Sequence, residues 1–231
     1  MKLSILLLFC FVFVSSTAFA DVVVDENFND GSLGSLVSGS GGTIELSDGA
    51  VEFVASVAVL TSQTDFTSSD FTATITADIP SQGINNTIFG VGTGDLGDYG
   101  EFSGPTAFVQ LDSFGIEIGD VNSTSSGPAS SLEGIPGVSG STTLELDFDS
   151  TSGTLNFSII GGEVSGLLGS VNLNDNGFDE TNARIFFGGN ARTSFDNFSV
   201  HVPAVAVPEP GTATLLGMGL LGSMIIRRRR S

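Results

Sequence analysis

The chain has 231 residues, with 26 Asp and Glu against 7 Lys and Arg and a net charge of −19. That balance excludes nucleic acid and anionic membrane surfaces as partners by charge, while favouring divalent cations. The single cysteine, Cys10, and the single histidine, His201, exclude a disulfide framework, a zinc-histidine cluster and a Ser-His-Asp centre.

Residues 1–20 read MKLSILLLFCFVFVSSTAFA. Lys2 supplies a positive start, Leu3 to Val14 form an apolar run, and Ala18-Phe19-Ala20 is a small-x-small cleavage site. This order is that of a secretory signal peptide, so signal peptidase is an expected partner and the mature chain is expected to begin at Asp21. Cys10 lies inside the apolar run and is removed with it, which leaves the mature protein without thiols.

Residues 21–202 are expected to form one domain. Leaving out Lys2, Glu209 and Arg227–Arg230, the sequence up to the tail keeps 25 Asp and Glu against Arg184 and Arg192, a difference of −23. Solubility of an exported protein is sufficient reason for such acidity. Strict alternation from Phe71 to Ile79 predicts a half-buried strand. Leu144–Phe148 and Leu155–Ile159 alternate as well, and the loop Asp149-Ser-Thr-Ser-Gly153 makes them a hairpin. A second hairpin is predicted for Thr43–Leu46 and Val51–Ala55. Further strands are predicted at Val22–Phe28, Thr87–Val91, Ala107–Leu111, Phe114–Ile118, Arg184–Phe187 and Ser194–Val202. Residues 123–140, rich in Ser, Gly and Pro, are expected to be a long surface loop. No helical period of useful length precedes the tail. Many short strands with Gly, Asn and Asp turns predict an all-β, antiparallel sandwich of jelly-roll type.

The tail has three parts in fixed order. Residues 203–211 are a linker holding Val207-Pro208-Glu209-Pro210, where the two prolines forbid a helix. Residues 212–226 carry no charge and, as a helix, would span about 22 Å, short against a hydrocarbon core of about 30 Å. Arg227, Arg228, Arg229 and Arg230 follow, in a basic end (227–231) that is expected to stay cytoplasmic while everything before Pro208 is exported.

These three parts resemble the PEP-CTERM sorting signal of Gram-negative bacteria, also called the ice-binding protein C-terminal motif. The resemblance implies recognition by an exosortase, a membrane protease-transpeptidase, with removal of the span. It implies a membrane-anchored precursor and a mature protein in the envelope or outside, in a setting of exopolysaccharide and biofilm. The domain carries a second resemblance. Asp25-Glu-Asn-Phe-Asn-Asp-Gly31 near its start and Ser194-Phe-Asp-Asn-Phe-Ser-Val200 near its end are similar to the terminal strands of concanavalin A-like and carbohydrate-module-like jelly rolls. That likeness implies a structural Ca²⁺ between first and last strands, with Glu26 or Asp30 and Asp196 as carboxylate ligands. No other cofactor is expected.

Two further acidic stretches bear on chemistry. Glu145-Leu-Asp147-Phe-Asp149 is similar to the catalytic strand of laminarinase-type glycosidases, in which the first Glu is the nucleophile. The last position is Asp149 instead of Glu, the chain has no Trp, and Tyr99 is its only Tyr. Alternation alone also places the three acids on a solvent face. The expectation is therefore a non-catalytic domain, structural or adhesive, with a carbohydrate-binding module for exopolysaccharide as the alternative and a glycosidase using Glu145 as the second. Asn172-Leu-Asn-Asp-Asn-Gly177 mimics the first half of a calcium loop but has Ala183 at the twelfth position, so a turn is expected there, as it is at Asp95–Glu101. The 19 Phe residues are expected to lie mostly in the core.

Overall fold

The computed structural model describes residues 20–38, 43–55, 58–62, 69–79, 87–94, 104–111, 116–121, 130–132, 138–161, 165–176, 178, 183–189 and 192–203. The expected signal peptide (apart from Ala20), the residues Val207 to Pro210, the span, the arginine block, Phe114, Tyr99 and the Asp95–Glu101 loop lie outside the described residues. One compact unit runs Ala20–Pro203.

Its strands are β1 (Ala20–Glu26), β2 (Leu36–Ser38), β3 (Thr43–Ser47), β4 (Ala50–Ala55), β5 (Ala58–Ser62), β6 (Phe71–Ile79), β7 (Thr87–Thr93), β8 (Thr106–Leu111), β9 (Ile116–Val121), β10 (Ser130–Leu132), β11 (Gly140–Asp149), β12 (Thr154–Ile160), β13 (Gly166–Asn172), β14 (Ala183–Gly189) and β15 (Ser194–Pro203). All pairings are antiparallel. One sheet has eight strands in the order β13-β12-β11-β6-β15-β4-β3, with β1 added beside β15; the other has seven, in the order β10-β9-β8-β7-β14-β5-β2. The chain crosses between sheets repeatedly, as from β6 to β7 and from β14 to β15, which makes the unit an all-β jelly-roll sandwich rather than two hairpin stacks.

Period-two patterning sets the layers. In β6, Phe71, Ala73, Ile75, Ala77 and Ile79 are buried, while Thr72, Thr74 and Thr76 are half-buried and Asp78 is exposed. β11 and β12 repeat this with Leu144, Leu146 and Phe148 and with Leu155, Phe157 and Ile159 turned inward. The facing layer brings Phe89, Val91, Val109, Leu111, Ile185 and Phe187 into the same core. Phe187 of β14 bridges the sheets: its ring centroid lies 5.0 Å from that of Phe195 and 5.2 Å from that of Phe198, both on β15. Among the described residues, most phenylalanines lie in the core, as expected.

Several strands escaped prediction. β13, Gly-Leu-Leu-Gly-Ser-Val-Asn, has no clean alternation because Leu168 is an extra residue in a bulge, between the pairs Ser158–Leu167 and Phe157–Gly169. β2 and β5 are short, and β10 lies inside the stretch expected to be unbroken loop. Residues Leu173–Asn176 form a 3₁₀ turn, begun by Asn172, whose side-chain oxygen accepts from the Asn174 amide at 3.0 Å.

Candidate functional site

The two terminal motifs come together, but as backbone devices. β1 pairs with β15 from Ala20 opposite Pro203 to Glu26 opposite Phe198. Before that, β15 gives its first two rungs, Ser194 and Phe195, to β4. The change of neighbour from β4 to β1 falls at Asp196-Asn197, where the register against β6 shifts and Asn197 takes φ 51°. A left-handed residue in a strand needs local support, and Asn tolerates that region better than most. Asp196 supplies it: one carboxylate oxygen accepts from the Asn197 amide at 2.6 Å and the other from the Asn197 side chain at 2.8 Å.

The opening motif is a tight exit from β1. Phe28 is buried with φ 54°, and its carbonyl accepts from the Gly31 amide at 3.1 Å. Both oxygens of Asp30 are engaged by Ser32. Glu26 accepts from the Ser35 amide at 2.8 Å and from the Ser35 hydroxyl at 3.0 Å. Asp30 and Asp196 thus accept from residues of their own turn or bulge, and Glu26 accepts through one oxygen from Ser35, nine residues on. Among the described residues no group of three or more His, Cys, Asp or Glu is placed to hold a metal. At matched ionic strength, CaCl₂ and MgCl₂ should therefore shift thermal unfolding equally, through screening alone. Asp196→Ala should lower stability as much in EDTA as in calcium. A calcium-specific rise that disappears in Asp196→Ala would restore the ion to these strands.

Glu145, Asp147 and Asp149 all lie on the outer face of the eight-stranded sheet, because Leu144, Leu146 and Phe148 face the core. Asp147 accepts from the Thr72 hydroxyl at 3.3 Å across the strand pair. Partial burial raises the Glu145 carboxyl above its ordinary value, with the charge of Asp147 adding to the shift. Asp149 goes the other way. The Ser152 hydroxyl, then the Thr151 amide, bind its carboxylate and hold its pKa down. It closes the hairpin to β12 and is fully occupied in doing so. The acid expected in the third catalytic position is therefore a turn residue.

The sign of each pH effect follows. Asp149, lowered when folded, contributes stability above the ordinary carboxylate range that is lost as pH falls through its folded value. Glu145, raised when folded, binds its proton more tightly in the folded state, so stability falls as pH rises through the window above its ordinary value. Asp149→Asn should lower the midpoint of thermal unfolding at neutral pH and converge with the wild type in strong acid. Glu145→Gln should raise it slightly at neutral pH. Equal midpoints for Asp149→Asn and wild type at pH 7 would show that the turn does not depend on the carboxylate.

The outer face of the seven-stranded sheet carries a feature that alternation did not reveal. Gly119, Phe108, Gly90 and Phe186 form one row across β9, β8, β7 and β14. Phe186 is buried yet stands outside the core cluster that takes its neighbours Ile185 and Phe187. The Phe108 ring lies over Gly119, where any Cβ would strike the ring, and the absence of a side chain at Gly90 lets Phe108 and its backbone close in. The glycines thus let the ring lie flat on the sheet. Thr106 and Gln110 flank Phe108 on the same face of β8, and Arg184 flanks Phe186 on β14. The signal present in the sequence was the glycine at alternate positions in Phe89-Gly-Val-Gly92, opposite an aromatic on the next strand.

Comparison with known proteins adds two findings. Residues 206–230 match the PEP-CTERM protein-sorting motif, which marks the chain for exosortase processing and for the envelope or the extracellular space. No curated protein matches the chain. Among solved structures, the winged bean acidic lectin complexed with methyl-α-D-galactose is 15% identical, with TM-score 0.56 over 80% of this chain and 99% of the lectin. The Emp46p carbohydrate recognition domain, metal-free form, is 14% identical, with TM-score 0.56 over 78% of this chain and 92% of that domain. A Bacillus subtilis protein of unknown function with a galectin-like fold is 14% identical, with TM-score 0.56 over 81% of this chain and all (100%) of that one. At such identities the likeness defines the fold alone: a lectin-like jelly roll.

Proposed function

We propose that this chain is an exported, non-catalytic β-sandwich with a structural or adhesive role at the cell envelope or in the extracellular matrix, delivered by its tail. The observation that carries the reading is the order of the parts. The compact unit ends at Pro203 and the sorting motif begins at residue 206, so the domain is complete before the processed segment starts. The acidic outer face suits a hydrated matrix, since Glu145, Asp147 and Asp149 sit there among Thr and Ser with no lysine anywhere in the domain.

Carbohydrate binding is a second reading, favoured by one feature. Phe108 lies flat between glycines with Thr106 and Gln110 beside it, which offers a ring to stack against a sugar and polar groups to fix its hydroxyls. The mature protein should be retained on a panel of polysaccharides. Phe108→Ala should weaken retention about tenfold, as expected for losing a partly buried ring worth 1–2 kcal/mol. Retention unchanged in Phe108→Ala would remove this surface from consideration, and no retention on any polysaccharide would leave the structural role alone. The same samples should not hydrolyse β-glucans, and turnover lost in Glu145→Gln would make the protein a glycosidase.

A further inference from the structure

The chain enters and leaves the sandwich at one rung. Among the described strands β1 pairs with β15 alone, with Ala20 opposite Pro203, Asp21 opposite Val202 and Val22 opposite His201. Directly opposed residues of an antiparallel pair lie about 4.5–5.5 Å apart. The segment before Ala20 and the segment after Pro203 therefore start side by side, and β1 can dock with both still attached. The seat is a firm one. Val24 is 3% exposed and lies opposite the buried Val200. Just past the strand, Phe28 is buried with its ring centroid 6.5 Å from that of Phe187. The Ala20–Asp21 bond, where the signal peptide is expected to be removed, lies inside the paired part of β1. The tail differs: its sorting motif starts at residue 206, three positions past the last rung.

We infer that folding itself closes the signal-peptide cleavage site: the Ala20–Asp21 bond is open to hydrolysis only until β1 docks on β15. This rests on the proposed reading of the chain as an exported precursor. The cause is competition for one stretch of backbone. A protease takes its substrate as extended chain and pairs with the backbone on either side of the scissile bond. Its cleft must surround that chain, and in the sandwich β15 fills one side, about 4.8 Å away. Freeing the bond means opening the rungs at Ala20, Asp21 and Val22 together and straining the buried Val24. The cut adds water across the amide, leaving a carboxylate on Ala20 and an ammonium on Asp21. That chemistry belongs to signal peptidase, and β1 decides only access. Because β15 is the last strand, the site stays open while the rest of the domain is made. From Ala20 to Pro203 that takes roughly 10–40 s at 5–20 residues per second.

The test blocks signal peptidase reversibly in growing cells while the full chain is exported, then lifts the block and follows the accumulated precursor. Precursor that resists added protease is folded, and wild-type precursor of that kind should keep residues 1–20. A spacer of about six Ser and Gly residues between Ala20 and Asp21 moves the bond up to about 20 Å from the sheet and leaves Asp21–Glu26 unchanged. Its folded precursor should be cut at least about tenfold faster than the wild type. Val24→Asp, which keeps β1 from docking, should be cut as fast as the spacer variant whether or not the remaining strands fold. Folded wild-type precursor that is cut as fast as the spacer variant overturns the proposal. So does a mature N-terminus that lies outside β1. The N-terminal cut is read from residues 1–20 and the tail from Arg227–Arg230, so a failure of the sorting reading shows at the other end of the chain.

Discussion

Replacing Glu209 by Gln in the full chain should leave the protein in the inner membrane as an uncleaved precursor. The expectation rests on the match of residues 206–230 to the sorting motif and on the chemistry of the tail. An anchor needs only an apolar span and a positive stop, and Thr212–Ile226 with Arg227–Arg230 provide both. Nothing in anchoring requires Pro208-Glu209-Pro210. Proline rings fix φ and disfavour helix, so a carboxylate between two of them is expected to be presented on extended chain as a recognition element. Removing the charge while keeping shape should therefore abolish processing without affecting export. Fractionation should show the variant intact in the membrane and the wild type shortened outside it. Normal processing of Glu209→Gln would mean that the motif acts only as a spacer.

The largest effect on stability is expected from Phe187→Ala. Phe187 is fully buried at the centre of the sandwich and meets Phe195 and Phe198 of the opposite sheet at 5.0 and 5.2 Å. Truncation leaves a cavity between the sheets that neither backbone can close, at a cost of about 3–5 kcal/mol. Against a typical domain stability of about 5–15 kcal/mol, the variant should lose a large fraction of its stability and unfold ten or more degrees lower. Ile160→Ala, at the exposed edge of β12, should stay within about 0.5 kcal/mol of wild type. Similar losses for both would contradict the placement of Phe187 as the bridge.

How much of this was legible in the sequence varies with the physics of each stretch. Phe71–Ile79 and Leu144–Phe148 were read correctly because one face is buried and the other wet, which forces a period of two. β13 was invisible for the opposite reason: its bulge at Leu168 breaks the period, and glycines leave no side chain to pattern. The terminal motifs were rightly paired with each other, since β1 does lie on β15. The turn-forming role of their carboxylates was not legible, because a side chain that supports a left-handed residue and one that binds calcium are the same residue types in the same kind of turn. Asp196 beside Asn197 and Asp30 beside Ser32 satisfy their oxygens locally, and only coordinates reveal that. Phe108 and Phe186 were hidden among core phenylalanines because composition does not say which face of a strand a ring occupies. Their row depends on register across four strands, a long-range property.

The central claim is an exported sandwich released from its own tail. Its most direct test is the intact mass of the protein recovered outside the cell. The account predicts a single species that lacks Met1–Ala20 and Arg227–Arg230 and retains Asp21–Pro203 whole. Recovery of secreted protein with the arginine cluster still attached would contradict it.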